Sequence, residues 1–410
     1  MGIEVQVTCR PRAAVLRIAV ALAAGLPAVI VRQTHIALPP AAAVVVFGTG
    51  VLAAVALLLW ASEAARVDLS GSLALAVLAL VAILPEYAID IYFAYAAGSR
   101  HAFAAYAAAN MTGANRLLIG VAWPLLVLAA IWAVRRRGKP GERNAVRLAP
   151  HRRIEIVFLS IATVYALVIP LTRRLAWYDT IVLGGIFAWY LLRIRHAEGG
   201  EEPVAGVPAA VATRPKAIRR PVFVGMFVAA AGFVLVSAKP FGDALIAAGA
   251  AFGIDEFLLV QWLAPIASEA PEVIVAIAFA LRGRANDGLG ALLAAKLNQW
   301  TLLIACLPVA FYLGGGAATG LPLDARQTEE LVLTTAQTVF GVAVLLDLLI
   351  TRAEALLLLG LFAAQFVFPT PDIRYLVAAA YAALGAVLIA RHRRHLPALL
   401  SAAGPRRRSA

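Results

Sequence analysis

The segments Val81-Ala82-Ile83-Leu84-Pro85-Glu86 and Ala267-Ser268-Glu269-Ala270-Pro271-Glu272 each place a Pro-Glu pair inside a long apolar stretch, 186 residues apart. Proline removes one hydrogen bond from its helix and leaves a carbonyl oxygen free. A carboxylate in a membrane-spanning helix is costly, and by default it marks a path for an ion or a substrate. Freed carbonyls beside a carboxylate are oxygen ligands for a hard cation. Two unrelated proline kinks are the alternative interpretation.

The composition indicates a polytopic membrane protein. Of the 410 residues, 62% are hydrophobic and 14% are charged, and apolar stretches recur from end to end. These stretches predict an all-α integral membrane protein with about 12 transmembrane helices. The predicted spans lie near residues 13–31, 42–66, 71–97, 104–134, 154–171, 175–193, 222–250, 254–281, 288–314, 329–350, 353–369 and 374–391.

The net charge of +13 comes from cations that cluster between the predicted spans. Basic loops at 135–153 and 193–220 and a basic tail are typical of cytoplasmic loops. We therefore predict a multi-pass protein of the cell membrane with cytoplasmic N- and C-termini. The acidic loop with Asp324, Glu329 and Glu330 then falls outside. The expected partners are membrane lipids and inorganic cations, with homo-oligomers allowed and nucleic acid excluded.

The predicted span count places the two Pro-Glu helices in opposite directions across the membrane. Two similar segments in opposite orientation predict inverted-topology repeats, an architecture of secondary transporters. The predicted parts are an N-terminal extra helix at 1–41, a first half at 42–193, a cytoplasmic basic linker at 194–221, a second half at 222–369, and an extra helix with a basic tail at 370–410.

Each Pro-Glu helix is followed by a helix that combines small residues with amides. The first contains Asn110-Met111-Thr112-Gly113-Ala114-Asn115-Arg116, and the second contains Ala294-Ala295-Lys296-Leu297-Asn298-Gln299-Trp300-Thr301. Small residues let helices approach closely, and amides supply neutral oxygens and interhelical hydrogen bonds.

With these two pairs of motifs, the chain resembles the calcium/cation antiporter superfamily, of the sodium/calcium exchanger membrane-region type, over roughly residues 42–369. That family carries Gly-Thr-Ser-x-Pro-Glu on one helix of each repeat and Gly-Asn-x-x-Gly-Ser-Asn-x-x-Asn (or Asp) on the next. The resemblance implies that Glu86 and Glu272 are the central, metal-binding carboxylates. It also implies that Asn110, Gly113 and Asn115 match the first amide motif.

The chain departs from this pattern at several ligand positions. Ala82 and Ile83 replace the first Thr-Ser pair, and Ser268 and Glu269 replace the second. The serines of the amide motifs become Ala114 and Ala295. The chain adds Asp90, one helical turn after Glu86. The predicted cation-binding set is Glu86, Asp90, Ser268, Glu269, Glu272, Asn110, Asn115, Asn298 and Gln299.

The charges at membrane depth constrain the mechanism. Four carboxylates cannot all stay ionised in a dry site, so some of them should hold protons, which favours proton coupling. Lys296 is predicted to couple charge by pairing with Glu272 or Glu269 until a cation displaces it. A hydrogen bond from Lys296 to a carbonyl between helices is the alternative. For Arg116, a structural role or an extension to the membrane surface is favoured over a functional one.

The sequence therefore predicts a secondary active antiporter that exchanges Ca²⁺ or Na⁺ for protons or sodium by alternating access. A sodium/proton exchanger is an alternative within the class. A membrane sensor or scaffold that keeps the fold without transport is an alternative from another class, and the missing hydroxyls favour it. No enzyme motif is present, so neither a catalytic residue nor a cofactor besides the transported cation is expected.

Overall fold

The computed structural model describes residues 5–6, 11–65, 67–68, 84–136, 144–194, 204–253 and 255–404, and most of these are helical. In the described ranges, π-helical turns at Leu118–Ala122 and Gln299–Leu303 each join two consecutive α-helices. The helices are α1 (Pro11–Thr34), α2 (Pro40–Ala65), α3 (Leu84–Ser99), α4 (Phe103–Leu117), α5 (Trp123–Arg136), α6 (Arg153–Ala166), α7 (Ile169–Thr172), α8 (Trp177–Ile194), α9 (Val207–Ala212), α10 (Lys216–Phe252), α11 (Glu256–Leu281), α12 (Ala285–Asn298), α13 (Ile304–Leu313), α14 (Ala325–Val344), α15 (Arg352–Val367), α16 (Pro371–His392) and α17 (Leu396–Ala403).

Within the described ranges, three two-stranded pairings join segments that are distant in sequence. Strands β1 (Val5–Gln6) and β4 (Val204–Ala205) are parallel. The other two pairings are antiparallel. They join β2 (Ala145–Arg147) to β6 (Leu349–Thr351) and β3 (Arg174–Leu175) to β5 (Leu321–Pro322).

Eight helices in the described ranges are long and apolar enough to cross a membrane, or nine if α11 counts as one span. The fold is therefore that of a multi-pass helical membrane protein. The predicted span at 71–97 lies outside the described residues over 71–83, and its remainder is helix α3. Residues Glu329 and Glu330, predicted in an outer loop, are buried within α14 instead, because Arg374 pairs with both.

The described chain forms two compact units, each built from two segments. The first contains residues 1–92 and 197–271, and the second contains residues 93–196 and 272–410. The boundary therefore falls within α3, after Tyr92, and within α11, after Pro271.

Small residues let α1 and α2 pack closely on the 37-residue helix α10 in the first unit. A Cβ atom on Gly25 would lie 2.2 Å from the Phe233 ring, and one on Gly50 would lie 2.4 Å from Ser237 Oγ. Close contact through small residues is the usual way in which helices associate without water.

Part of the predicted linker is folded onto the first unit. Every residue of α9 is buried, and α10 begins at Lys216, within the segment predicted as linker. The guanidinium of Arg219 donates to both carboxylate oxygens of Asp68, at 2.6 and 2.8 Å. These hydrogen bonds lower the pKa of Asp68, which lies in the turn after α2. The linker segment thus holds the end of α2 through a partly buried ion pair.

Two matching helical arms lie in the second unit. The first runs from α4 through a π-helical turn to α5, and the second runs from α12 through a π-helical turn to α13. Trp123 and Trp300 are fully buried near these turns. Gly98 and Gly314 bring α3 against the end of α13, since a Cβ atom on Gly314 would lie 1.9 Å from the backbone oxygen of Tyr95.

Candidate functional site

The first Pro-Glu helix, α3, carries two buried carboxylates. Glu86 and Asp90 are one turn apart on the same helix face, and Asp90 has no exposed surface. Pro85 lies in the first turn of the described helix. The carbonyl that Pro85 was predicted to leave free belongs to Val81, which lies outside the described residues.

A polar contact attaches α3 to α10. The hydroxyl of Tyr92 donates to Asp243, and the ammonium of Lys239 donates to the other oxygen of Asp243 at 2.6 Å. The same ammonium lies 5.6 Å from the centre of the Tyr92 ring. This contact fixes the end of the α3 segment that carries Glu86 and Asp90. The spacing of Lys239 and Asp243, four positions apart, indicated their ion pair in the sequence, whereas nothing indicated the hydrogen bond from Tyr92.

The second Pro-Glu helix, α11, carries Ser268, Glu269 and Glu272. Ser268 and Glu269 are buried, whereas Glu272 is partly buried. The Ser268 hydroxyl donates to the carbonyls of Ala264 and Pro265 at 3.3 Å each. Since the donor is used within the helix, the oxygen lone pairs of Ser268 stay available as acceptors.

The two amide-bearing helices meet through a buried hydrogen bond. The ammonium of Lys296, which has no exposed surface, donates to Oδ1 of Asn115 at 2.6 Å. It also lies 4.1 Å from the centre of the Trp300 ring. Asn115 in turn donates to the carbonyl of Met111 at 2.8 Å. Lys296 therefore bonds an oxygen between helices, and its predicted pairing with Glu272 or Glu269 stays a prediction.

Asn115 and Lys296 occupy matching places in the two helical arms. They are 181 residues apart, and the two π-helical turns begin at the same separation. Each residue lies three positions before its turn. π-Helical turns are frequent at functional sites, because the extra residue redirects the side chains around it. The cation Lys296 thus replaces, in the second arm, the amide of the first.

The remaining predicted amides are buried around the same turns. Asn110 lies on α4, Asn298 ends α12, and Gln299 starts the second π-helical turn. Neither polar atom of the Asn110 side chain has a hydrogen-bond partner in the described part of the chain. A fully buried amide oxygen without such a partner is available to a ligand.

A buried ion network next to Asn115 was missed by sequence reasoning. Arg116 is 1% exposed, so it does not extend to the membrane surface. Its guanidinium contacts Glu330 at 2.5 Å and donates to Oε1 of Gln365 at 2.9 Å. Glu330 also accepts from Arg374 at 2.6 Å. In the sequence, the members of this network appear only as single charges within apolar helices, and nothing indicates that they pair with one another.

The predicted residues divide between the two units. Glu86, Asp90, Ser268 and Glu269 belong to the first, and Glu272, Asn110, Asn115, Lys296, Asn298 and Gln299 belong to the second. Within the described ranges, no group of three or more His, Cys, Asp and Glu side chains could hold a metal ion.

Comparison with known proteins relates the chain to ion exchangers. The family described as sodium/calcium exchanger protein matches residues 39–194 and 222–370. The crystal structure of the H⁺/Ca²⁺ exchanger CAX is 38% identical, with a TM-score of 0.90, over 95% of this chain and 97% of that one. No curated protein matches the chain.

Two further structures share the fold at low identity. The Ca²⁺/H⁺ antiporter protein YfkE is 16% identical, with a TM-score of 0.58 over 90% of this chain and 99% of its own. The sodium-calcium exchanger NCX_Mj is 16% identical, with a TM-score of 0.53 over 80% and 97%. The family match and the 38% identical structure show that the chain belongs to the sodium/calcium exchanger protein family.

Proposed function

We propose that the protein exchanges Ca²⁺ for protons across the membrane as a secondary active antiporter. The observation that carries this proposal is the set of buried carboxylates Glu86, Asp90 and Glu269 on two helices of a membrane protein. Carboxylates at such depth bind cations or hold protons, because an isolated charge is too costly there. The 38% identity to the H⁺/Ca²⁺ exchanger CAX favours calcium and protons over the other ions of the class.

The proposed roles follow the chemistry of the side chains. Glu86 and Glu272 supply charged oxygens to Ca²⁺, which takes six to eight oxygen ligands. Asp90 and Glu269 add carboxylates that carry protons when Ca²⁺ is absent. Neutral oxygens come from Ser268, Asn110, Asn115, Asn298 and Gln299.

We propose that the binding of a cation is linked to the movement of the positively charged Lys296 side chain. Its ammonium donates to Asn115 Oδ1, an oxygen that a bound cation would use. A cation that takes this oxygen must displace the ammonium from it. Binding of the cation and movement of a fixed charge are thereby coupled.

The proposed architecture has 12 spans, two inverted repeats, alternating access and cytoplasmic termini. Its support is that each strand pairing joins segments predicted on one side of the membrane. The β2–β6 and β1–β4 pairings join predicted cytoplasmic segments. The β3–β5 pairing joins two predicted outer loops. The matching order of helix, π-helical turn and helix in α4–α5 and α12–α13 supports the repeats.

Cation-driven proton flux in proteoliposomes tests the function. Purified protein is reconstituted with a pH-sensitive dye inside, and Ca²⁺, Na⁺ or K⁺ is added outside. We expect flux with Ca²⁺ that falls at least about 100-fold in Glu272→Gln, since the loss of a charged ligand costs several kcal/mol in a dry site.

Glu256→Gln is the matched control, because it removes the same charge at the start of the same helix. We expect the control to transport within about twofold of the wild type. Each variant is checked for Ca²⁺-dependent thermal stabilisation, which a ligand of the folded state must produce. Flux that prefers Na⁺ would favour a sodium/proton exchanger.

A non-transporting sensor or scaffold is the second candidate function. Lys296 already bonds Asn115, and Ala114 and Ala295 replace the serines of the family motif. A protein whose site is filled by its own ammonium would bind cations poorly. Well-folded protein without flux for any of the three cations would favour this second function.

A further inference from the structure

Four charged side chains form a buried network on three helices of the second unit. Arg116 lies on α4, Glu329 and Glu330 on α14, and Arg374 on α16, and all four are at most 6% exposed. The two arginines balance the two glutamates, so the network carries no net charge when all are ionised. Buried charged side chains are tolerated when their charges balance and their polar atoms are hydrogen-bonded to one another.

The guanidinium of Arg374 contacts three acceptors at once. Its Nη1 donates to Glu330 Oε1 at 2.6 Å, its Nε lies 3.1 Å from Glu329 Oε1, and its Nη2 donates to the carbonyl of Pro369 at 2.5 Å. A planar guanidinium can donate hydrogen bonds in three fixed directions, and a lysine ammonium cannot reproduce this geometry. Arg374 therefore fixes the position of Glu330.

Glu330 passes this constraint to the end of α4. Its second oxygen lies 2.5 Å from Arg116 Nη2, while Arg116 Nη1 donates to Gln365 at 2.9 Å. Gln337 donates to the backbone carbonyl of Arg116 at 3.4 Å. Arg116 directly follows Asn115, and both its side chain and its backbone carbonyl are thus held in place.

We propose that Arg374 is a positioning residue for the cation site, acting through Glu330 and Arg116 on the ligand Asn115. Arg374 lies beyond residue 370, where the family match ends, so α16 contributes to the site from outside the matched region. Arg374 contacts Glu329, Glu330 and the carbonyl of Pro369, so it reaches the proposed ligand Asn115 only through other residues. The inference rests on the proposed function, because it assigns Asn115 to the cation.

The test measures the Ca²⁺ dependence of proton flux in Arg374→Lys. The substitution keeps the charge and removes the guanidinium geometry, so we expect the KM for Ca²⁺ to rise about fivefold or more while the maximal rate stays within about twofold. Arg391→Lys, at an exposed position of the same helix, is the matched control and should keep the wild-type KM. In an Asn115→Ala background, Arg374→Lys should change the KM less than about twofold, because its effect ends at Asn115.

Gln365→Met is a second variant, which removes an acceptor of Arg116 without changing any charge. It should raise the KM in the same direction, and it carries the test if Arg374→Lys does not fold. Two results would overturn the positioning role alone. The first is a wild-type KM for Ca²⁺ in the folded variants. The second is a double variant whose change in KM equals the product of the changes caused by Arg374→Lys and Asn115→Ala separately. A wild type without flux would overturn the proposed function and this role together.

Discussion

Lys296 places a fixed positive charge beside a proposed ligand of the transported cation. Its ammonium is fully buried and donates to Asn115 Oδ1. Removing the ammonium should free this oxygen and remove a repulsion of about 3 kcal/mol per unit charge at about 6 Å and an effective dielectric constant of about 20. Because the carboxylates offset part of this, we expect Lys296→Met to lower the KM for Ca²⁺ about tenfold and to shift the pH dependence of flux.

Lys216→Met is the control for this experiment, since Lys216 is exposed at the start of α10. Flux is measured across Ca²⁺ and Na⁺ concentrations at several pH values. If Lys296→Met keeps the ion preference and the pH profile of the wild type, the ammonium has only a structural role. The charge-coupling role of Lys296 would then be wrong.

The individual site residues were predictable to different degrees. Glu86, Asp90, Glu269 and Lys296 stand out because each is a charge within an apolar segment, and each is buried or partly buried in the structure. The partners of Arg116 were not predictable. Glu330 and Arg374 come from distant helices, and only the packing of those helices brings the charges together.

At the scale of the helix, glycine sets how closely α3 approaches the end of α13. Gly314 faces backbone atoms of Tyr95, and a Cβ atom there would lie 1.9 Å from the carbonyl oxygen. The backbones would have to separate, and such overpacking typically costs about 1–3 kcal/mol. We expect Gly314→Ala to lower the Tm by roughly 2–10 °C, measured by thermal unfolding in detergent.

Gly360→Ala is the matched control on helix α15, because no atom outside the adjacent backbone of the same helix lies within 4 Å of the added Cβ. Alanine favours a helix by up to about 1 kcal/mol over glycine, so the Tm should be unchanged or slightly higher. Equal stability of the two variants would show that the contact between Gly314 and Tyr95 does not constrain the helices.

Hydropathy predicted the membrane helices better than it predicted what interrupts and joins them. The long apolar stretches correspond to long helices, including α1, α2 and α16. The π-helical turns at Leu118–Ala122 and Gln299–Leu303 were not predictable, because one extra residue in a helical turn leaves no hydrophobic signature. The charges around α9 likewise concealed that this part of the linker is buried.

For the whole molecule, the strand pairings restrict which loops can share a side of the membrane. Two segments that pair directly must lie on one side, because an unpaired strand does not cross hydrocarbon. β2 therefore lies on the side of β6, and β3 on the side of β5. Helices α6 and α7 connect β2 to β3. The proposed topology has a single span there, and we therefore expect the β2–β6 pair and the β3–β5 pair on opposite sides of the membrane.

Accessibility of introduced cysteines measures this sidedness directly. In a background with Cys9→Ser and Cys306→Ser, single cysteines replace Arg147, Arg352, Arg174 or Pro322, all of them exposed. We expect a membrane-impermeant maleimide to label positions 174 and 322 in intact cells, and positions 147 and 352 only after the membrane is opened. The positive-inside rule supplies the absolute direction, since the basic loop 135–153 contains β2. Labelling of 147 and 174 from the same side would contradict a single span between them and with it the 12-span inverted architecture.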